Sequence, residues 1–199
     1  MPKLKELLGL ATYLLSVTIL SFPKIAYADL SRREVIEGVT AGISLIHGHR
    51  ARPKVYFNIP FGYDSPCGLI DPDNAGYCPI NHTIYVGQDM QDRAYYQYGD
   101  AALAYLLAHE YAHGMQTAFG FEPGVTVISE LQADCLAGVY LAAIPNLVLD
   151  ERDLREIVDF SYDIGSKEIW DSDWHGTHEM REQSVLKGLR ERRIQACRV

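Results

Sequence analysis

Apolar residues recur at Val35, Ile36, Val39, Ile43 and Ile46. That is the spacing of one helix face, and it predicts an amphipathic helix over 31–50. His47 and His49 close it; two histidines so spaced can chelate a metal, but an exposed helix end is the simpler reading. Alternation then takes over. Val55, Phe57 and Ile59 alternate with other residues from Arg52 to Ile59, a strand pattern stopped by Pro60 and Gly62. His82 to Gly87 is a second strand-like run, and the two could pair through the loop between them as a small antiparallel sheet.

From Asp100 onward the period is helical. Asp100 can cap a helix through Ala101, Leu103, Leu106 and Leu107 to His113, and Gly120 and Pro123-Gly124 break the chain after it. A second helix runs from about Val127 to Ala143 and must end near Pro145. Asp150 can cap a third, through Leu154, Ile157, Val158 and Ile164, ended by Gly165. Trp170 to Thr177 reads as a loop before a last helix with Val185, Leu186, Leu189 and Ile194. The pattern is that of a mainly helical α+β domain.

With 199 residues, 48% of them hydrophobic, the chain can bury one sizeable core, so a single domain over 29–199 is expected. The formal net charge of −8 argues against a nucleic-acid partner, which usually meets a basic face. Arg190, Arg192 and Arg193 are the densest basic run, and their alternation with Glu191 and Gln195 reads as a solvated helix face.

The beginning of the chain changes the setting. Lys3 and Lys5 give a positive start, Leu7 to Leu20 an apolar stretch, and Ala26-Tyr27-Ala28 a small-x-small site before Asp29. Residues 1–28 therefore read as a cleavable export signal. A retained anchor is the competing reading, but the run is short for a span and Pro23 and Lys24 interrupt it. The mature chain is expected outside the cytoplasm, periplasmic or secreted, with no stable membrane insertion. Four cysteines agree with that compartment. Cys67 and Cys78 flank a turn-rich stretch that a disulfide would pin, and Cys135 and Cys197 would then pair by elimination. A thiolate metal site is the alternative, but no CxxC spacing is present.

Candidate chemistry centres on His109-Glu110-Tyr111-Ala112-His113, an HExxH motif on a predicted helix. Residues four apart share a helix face, so both imidazoles can reach one cation. Glu110 projects beside that face, where it can contact a metal-bound water without ligating the metal. Zinc there would lower the pKa of that water and polarise a carbonyl, with Glu110 as general base. The bland reading is a chance match on a partly buried helix. A catalytic zinc wants a third protein ligand, and Glu130 on the next helix can supply it if that helix folds back antiparallel. Asp134, four residues on, could accept a hydrogen bond from a ligand histidine, and Gly138 on the same face allows tight helix contact. Solvent-facing charges are the other reading of Glu130 and Asp134, but their neighbours Leu131, Ala133, Leu136, Ala137 and Val139 are apolar.

HEYAH followed by Glu130-Leu-Gln-Ala-Asp134 resembles the gluzincin pattern, HExxH followed by ExxxD. From about Val55 to Cys197 the chain is similar to the neutral zinc metallopeptidases, the YpfJ-type zinc peptidase family. The residues concerned are Cys67-Gly68, Tyr77-Cys78-Pro79, Ile84-Tyr85-Val86, Gln116, Glu130 to Gly138, and His175-Gly176-Thr177 with Arg181. His178 and Met180 depart from that pattern. The resemblance implies a zincin-like domain that hydrolyses a peptide or protein substrate with Zn2+ held by His109, His113 and Glu130. It also implies the Ile84–Val86 strand as an edge for an extended peptide, and His175 as a group that stabilises the oxyanion. A structural histidine at a helix start is the equal alternative for His175. A zinc-binding interaction or chaperone-like module without catalysis is the alternative for the whole.

Overall fold

The computed structural model describes residues 30–48, 52–121, 125–168 and 174–198. The expected export signal, His49, the Pro123-Gly124 break and the first part of the Trp170–Thr177 loop lie outside them. Among the described residues the chain forms α1 (Arg32–Ile46), β1 (Lys54–Ile59), β2 (Tyr63–Ser65), β3 (Gly68–Ile70), β4 (Ala75–Cys78), β5 (Thr83–Gly87) and α2 (Gln88–Asp92). A π-helical turn, Arg93–Tyr98, leads into α3 (Asp100–Ala118), followed by α4 (Thr126–Ala143), α5 (Glu151–Asp163), α6 (His178–Glu191) and a 3-10 turn at Ile194–Cys197. The fold is mainly helical with small sheets. None of its described helices is long and apolar enough to cross a membrane.

α3 is the axis of the core. Every residue from Ala101 to Ala112 is buried, because α1, α4, α5 and the sheet pack around the helix. α1 lays Val35, Ile36, Val39 and Ile43 against it, on the predicted face. Ser31 caps α1, its hydroxyl accepting from Glu34 N while the Glu34 carboxylate accepts from Ser31 N. Asp150 caps α5 as the sequence suggests.

The start of α3 corrects the expected cap. Gly99 takes the cap position at φ 138°, and Asp100 Oδ2 accepts instead from Leu30 N at 2.9 Å. The α3 N-terminus is satisfied from α5, where Glu156 Oε2 accepts from Ala101 N at 3.1 Å. A Cβ on Gly99 would stand 2.0 Å from that carboxylate, so the residue is glycine for space as well as for its backbone angle.

The sheet also differs from the expected antiparallel pair. Its order is β1-β5-β4, with β1 parallel and β4 antiparallel to β5, while β2 and β3 form a separate hairpin. The cysteine loop thus supplies strands of its own, and β4 takes the place beside β5. All five β5 residues are buried, as a central strand requires. Ile84–Val86 is therefore not an edge.

Both expected disulfides are present. Cys67–Cys78 closes the cysteine loop, and Cys135–Cys197 ties the 3-10 turn to α4. α6 stops at Glu191, with Arg192 at φ 53°, so Ile194 and the terminal arginines do not continue its face. The closest helix contact is α4 on α6. A Cβ on Gly188 would stand 1.9 Å from Cys135 O, and one on Gly138 would stand 2.4 Å from Val185 O. Gly138 does permit tight packing, but its partner is α6 rather than α3.

Candidate metal centre

Helix geometry brings His109 and His113 onto one face of α3, and antiparallel packing of α4 sets Glu130 opposite them. His109 Nε2 lies 3.2 Å from Glu130 Oε2, and His113 Nε2 lies 3.2 Å from Glu130 Oε1. The two Nε2 atoms are 3.1 Å apart. A zinc ion about 2.0–2.1 Å from each donor in tetrahedral geometry would hold them about 3.3–3.4 Å apart. The donor triangle fits such an ion within a few tenths of an ångström.

Each imidazole is oriented through its other nitrogen. His109 Nδ1 donates to Asp134 Oδ1 at 2.7 Å, and Asp134 is fully buried. His113 Nδ1 donates to Gln116 Oε1 at 2.8 Å. That amide is itself fixed, since Gln116 Nε2 donates to Ser129 O and to Gln132 Oε1, and Ser129 Oγ donates to Gln116 Oε1. An acceptor on each Nδ1 turns both Nε2 atoms toward Glu130, to present lone pairs to a cation when one is bound and to donate to the carboxylate when the rings are protonated. Two lone pairs this close repel unless a cation or proton sits between them.

Residues 55–199 match the family model described as "Putative neutral zinc metallopeptidase". The chain belongs to this family. It is 33% identical to the uncharacterised protein YpfJ of Escherichia coli K12, over 57% of this chain and 49% of that one. An uncharacterised protein of Mycobacterium tuberculosis is 36% identical over 32% of this chain and 27% of its own length. The chain thus spans about half the length, or less, of the curated relatives it matches. No solved structure matches it. The family description implies zinc, which agrees with the donor set of two imidazoles and a carboxylate.

Electrostatics in this family member's site favour positive charge between the rings. Burial pulls the His109 imidazole's pKa down, but Asp134 and Glu130 outweigh it and hold it up to about 10. Burial raises Glu130, yet hydrogen bonds from His109 and His113 hold its carboxyl well below the usual carboxylate range. Asp134 is likewise raised by burial and brought down to about 2 by Arg181 and His109.

Of the remaining expected residues, His175 lies beside the three donors, whereas His178 and His47 do not. Glu110, next to His109 on α3, is only 5% exposed. His175 reaches the site from the segment before α6; its half-exposed side chain places Nε2 3.8 Å from Glu130 Oε1. His178 turns away, with Nδ1 on Tyr162 O and its ring stacked on Tyr162. His47 lies in a different place, bonded to the Tyr140 hydroxyl at 2.9 Å. Tyr77 of β4 packs over Gly114, where a Cβ would meet its ring at 3.2 Å. The orienting role of Gln116 had a signal in the sequence, three residues after His113 on the same helix face. Tyr105, which donates to Asp134, sits one turn before His109 and shared that signal.

Proposed function

We propose that the chain is an exported zinc-dependent metallopeptidase. The observation that supports it most is the convergence of His109 Nε2, His113 Nε2 and Glu130 at 3.1–3.2 Å with both Nδ1 atoms pinned. Three protein donors leave a position open for water or substrate, the mark of a catalytic rather than a structural zinc site. Zinc held there would act as a Lewis acid on the scissile carbonyl and ease the ionisation of the attacking water. Glu110 would take the proton from that water and later pass it to the leaving amine, so one carboxylate serves both halves of the hydrolysis. His175, half exposed beside Glu130, would donate a hydrogen bond to the substrate oxygen that gains negative charge. With β5 central, the strand that can receive an extended peptide is β4, the sheet edge packed against α3. The two disulfides support an oxidising, extracytoplasmic compartment.

The test is elemental analysis of the oxidised protein, followed by a peptide-library cleavage assay. Near-stoichiometric zinc is expected in the wild type and a sharp loss in Glu130→Ala. Cleavage is expected to fall about 10²–10⁴-fold in Glu110→Gln with zinc retained. Zinc without any cleavage would favour a non-catalytic interaction or chaperone-like module, and a well-folded protein without zinc would sink both readings.

A further inference from the structure

Arg181, 4% exposed, is a cation buried beside the metal centre to which the steps above give no task. A guanidinium so placed is costly unless its counter-ion is held in good geometry. From α6 its Nε donates to Asp134 Oδ2 at 2.9 Å, and its Nη2 donates to Asp134 Oδ1 at 2.8 Å. This is the two-point fork that arginine makes with a carboxylate. The Tyr105 hydroxyl donates to the same Oδ1, and His109 Nδ1 lies 2.7 Å from it. Nη2 and Nδ1 are 3.4 Å apart, two donors side by side on one oxygen. Nη1 adds a 3.4 Å contact to Ile164 O, which steadies the guanidinium from the end of α5.

Only the fork spans both oxygens of Asp134. Held by Tyr105 and His109 alone, both on Oδ1, the carboxylate could turn about its Cβ–Cγ bond, and the His109 Nδ1–H would follow it. With the fork closed, the carboxylate plane is fixed. The imidazole plane and the direction of Nε2 are then fixed with it.

We propose that Arg181 is a positioning residue for the metal centre: by locking both oxygens of Asp134 from α6, it sets the direction in which His109 Nε2 presents its lone pair. This rests on the zinc reading of the site. It makes metal affinity depend on a helix that carries none of the three donors. It also gives the close α4–α6 crossing at Gly138 and Gly188 a functional consequence, since that crossing sets how far Arg181 reaches.

A charge-conserving variant tests it. Arg181→Lys keeps a cation but offers a single point of attachment and no fixed plane. Zinc affinity of the wild type, Arg181→Lys and Arg181→Gln is measured by chelator competition on the oxidised protein. The visible spectrum of the cobalt(II)-loaded forms and the thermal midpoints of the metal-free forms are read alongside. Both variants should bind zinc about 10- to 100-fold more weakly at temperatures where their metal-free forms are folded. Their cobalt spectra should also shift. A purely structural role would lower the metal-free midpoint and leave affinity and spectrum in place, and that result overturns the proposal. A lysine variant with wild-type affinity overturns it too. Should the lysine variant not fold, Arg181→Gln, which can still donate to one oxygen, decides the matter by the same readings. A wild type that takes up no zinc defeats the metal reading together with this one. Zinc-loaded wild type alongside unaltered variants defeats only the role of Arg181.

Discussion

The two disulfides close loops of very different length, which makes their contributions to stability separable. Cys135–Cys197 spans 62 residues of sequence and Cys67–Cys78 spans 11. On the loop-closure account, cross-linking removes chain entropy from the unfolded state as the logarithm of loop length. That gives about 4 kcal/mol at 25 °C for the long loop and about 3 kcal/mol for the short one. The difference, roughly 1.5 kcal/mol, depends only on the ratio of the lengths and not on the constant in the expression. The perturbation is Cys135→Ala with Cys197→Ala, compared with Cys67→Ala with Cys78→Ala; alanine avoids placing a new hydroxyl where Cys78, Cys135 and Cys197 are buried. Equilibrium unfolding in urea of the metal-free proteins reads the two losses without a contribution from zinc binding. Loss of about 4 kcal/mol is a large part of the 5–15 kcal/mol of an ordinary domain, so the long-loop variant should be marginal. A short-loop variant that loses as much as the long-loop one, or more, would refute the entropic reasoning and point to native-state packing as the source of the stabilisation.

Three further perturbations probe the frame around the site. Gln116→Ala should weaken zinc binding about tenfold, read by chelator competition, because His113 Nδ1 loses its oriented acceptor; unchanged affinity would show that the ring is held by packing alone. Gly138→Ala should cost about 1–3 kcal/mol in urea unfolding, since its Cβ would press on Val185 O at 2.4 Å and force α4 and α6 apart. Gly99→Ala combines a backbone at φ 138° with a Cβ 2.0 Å from the Glu156 carboxylate, so a loss of about 1–3 kcal/mol is the minimum expected. A neutral result in thermal unfolding would mean that Glu156 is not the cap of α3.

What the sequence disclosed and what it did not divide along a physical line. Helical period placed α1, α3, α4 and α5 because each buries a stripe or a whole surface whose spacing is local. The same geometry paired His109 with His113 and Glu130 with Asp134, four residues apart on their helices, before any fold was known. The sheet escaped this kind of inference. β5 reads as strand from its own residues, but that it lies between β1 and β4 depends on where the cysteine loop sends the chain. The cap of α3 escaped for a similar reason: Asp100 has the right side chain in the right place, yet Glu156, 55 residues beyond Ala101, reaches the free backbone N–H and leaves Asp100 to Leu30.

Around the candidate metal centre the same division separates the candidate donors from what orients them. Gln116 and Tyr105 are one helical turn from the histidines, so spacing alone could have named them. Arg181 is 47 residues from Asp134 and has no periodic relation to it. Its approach depends on two glycines, Gly138 and Gly188, that let α4 and α6 touch backbone to backbone. A glycine in the middle of an apolar helix costs about 1 kcal/mol against alanine, so its presence in α4 already signals a close neighbour without saying which. The candidate partners were few, since a neighbour that comes within backbone contact must itself carry a small residue at the crossing. Gly188 is such a residue on the last helix, and Arg181 lies seven positions before it, two turns along α6 and on the same face. Pairing small residues between helices, then asking which charged side chains lie two turns away on the same face, is the inference that would have led from Asp134 to Arg181.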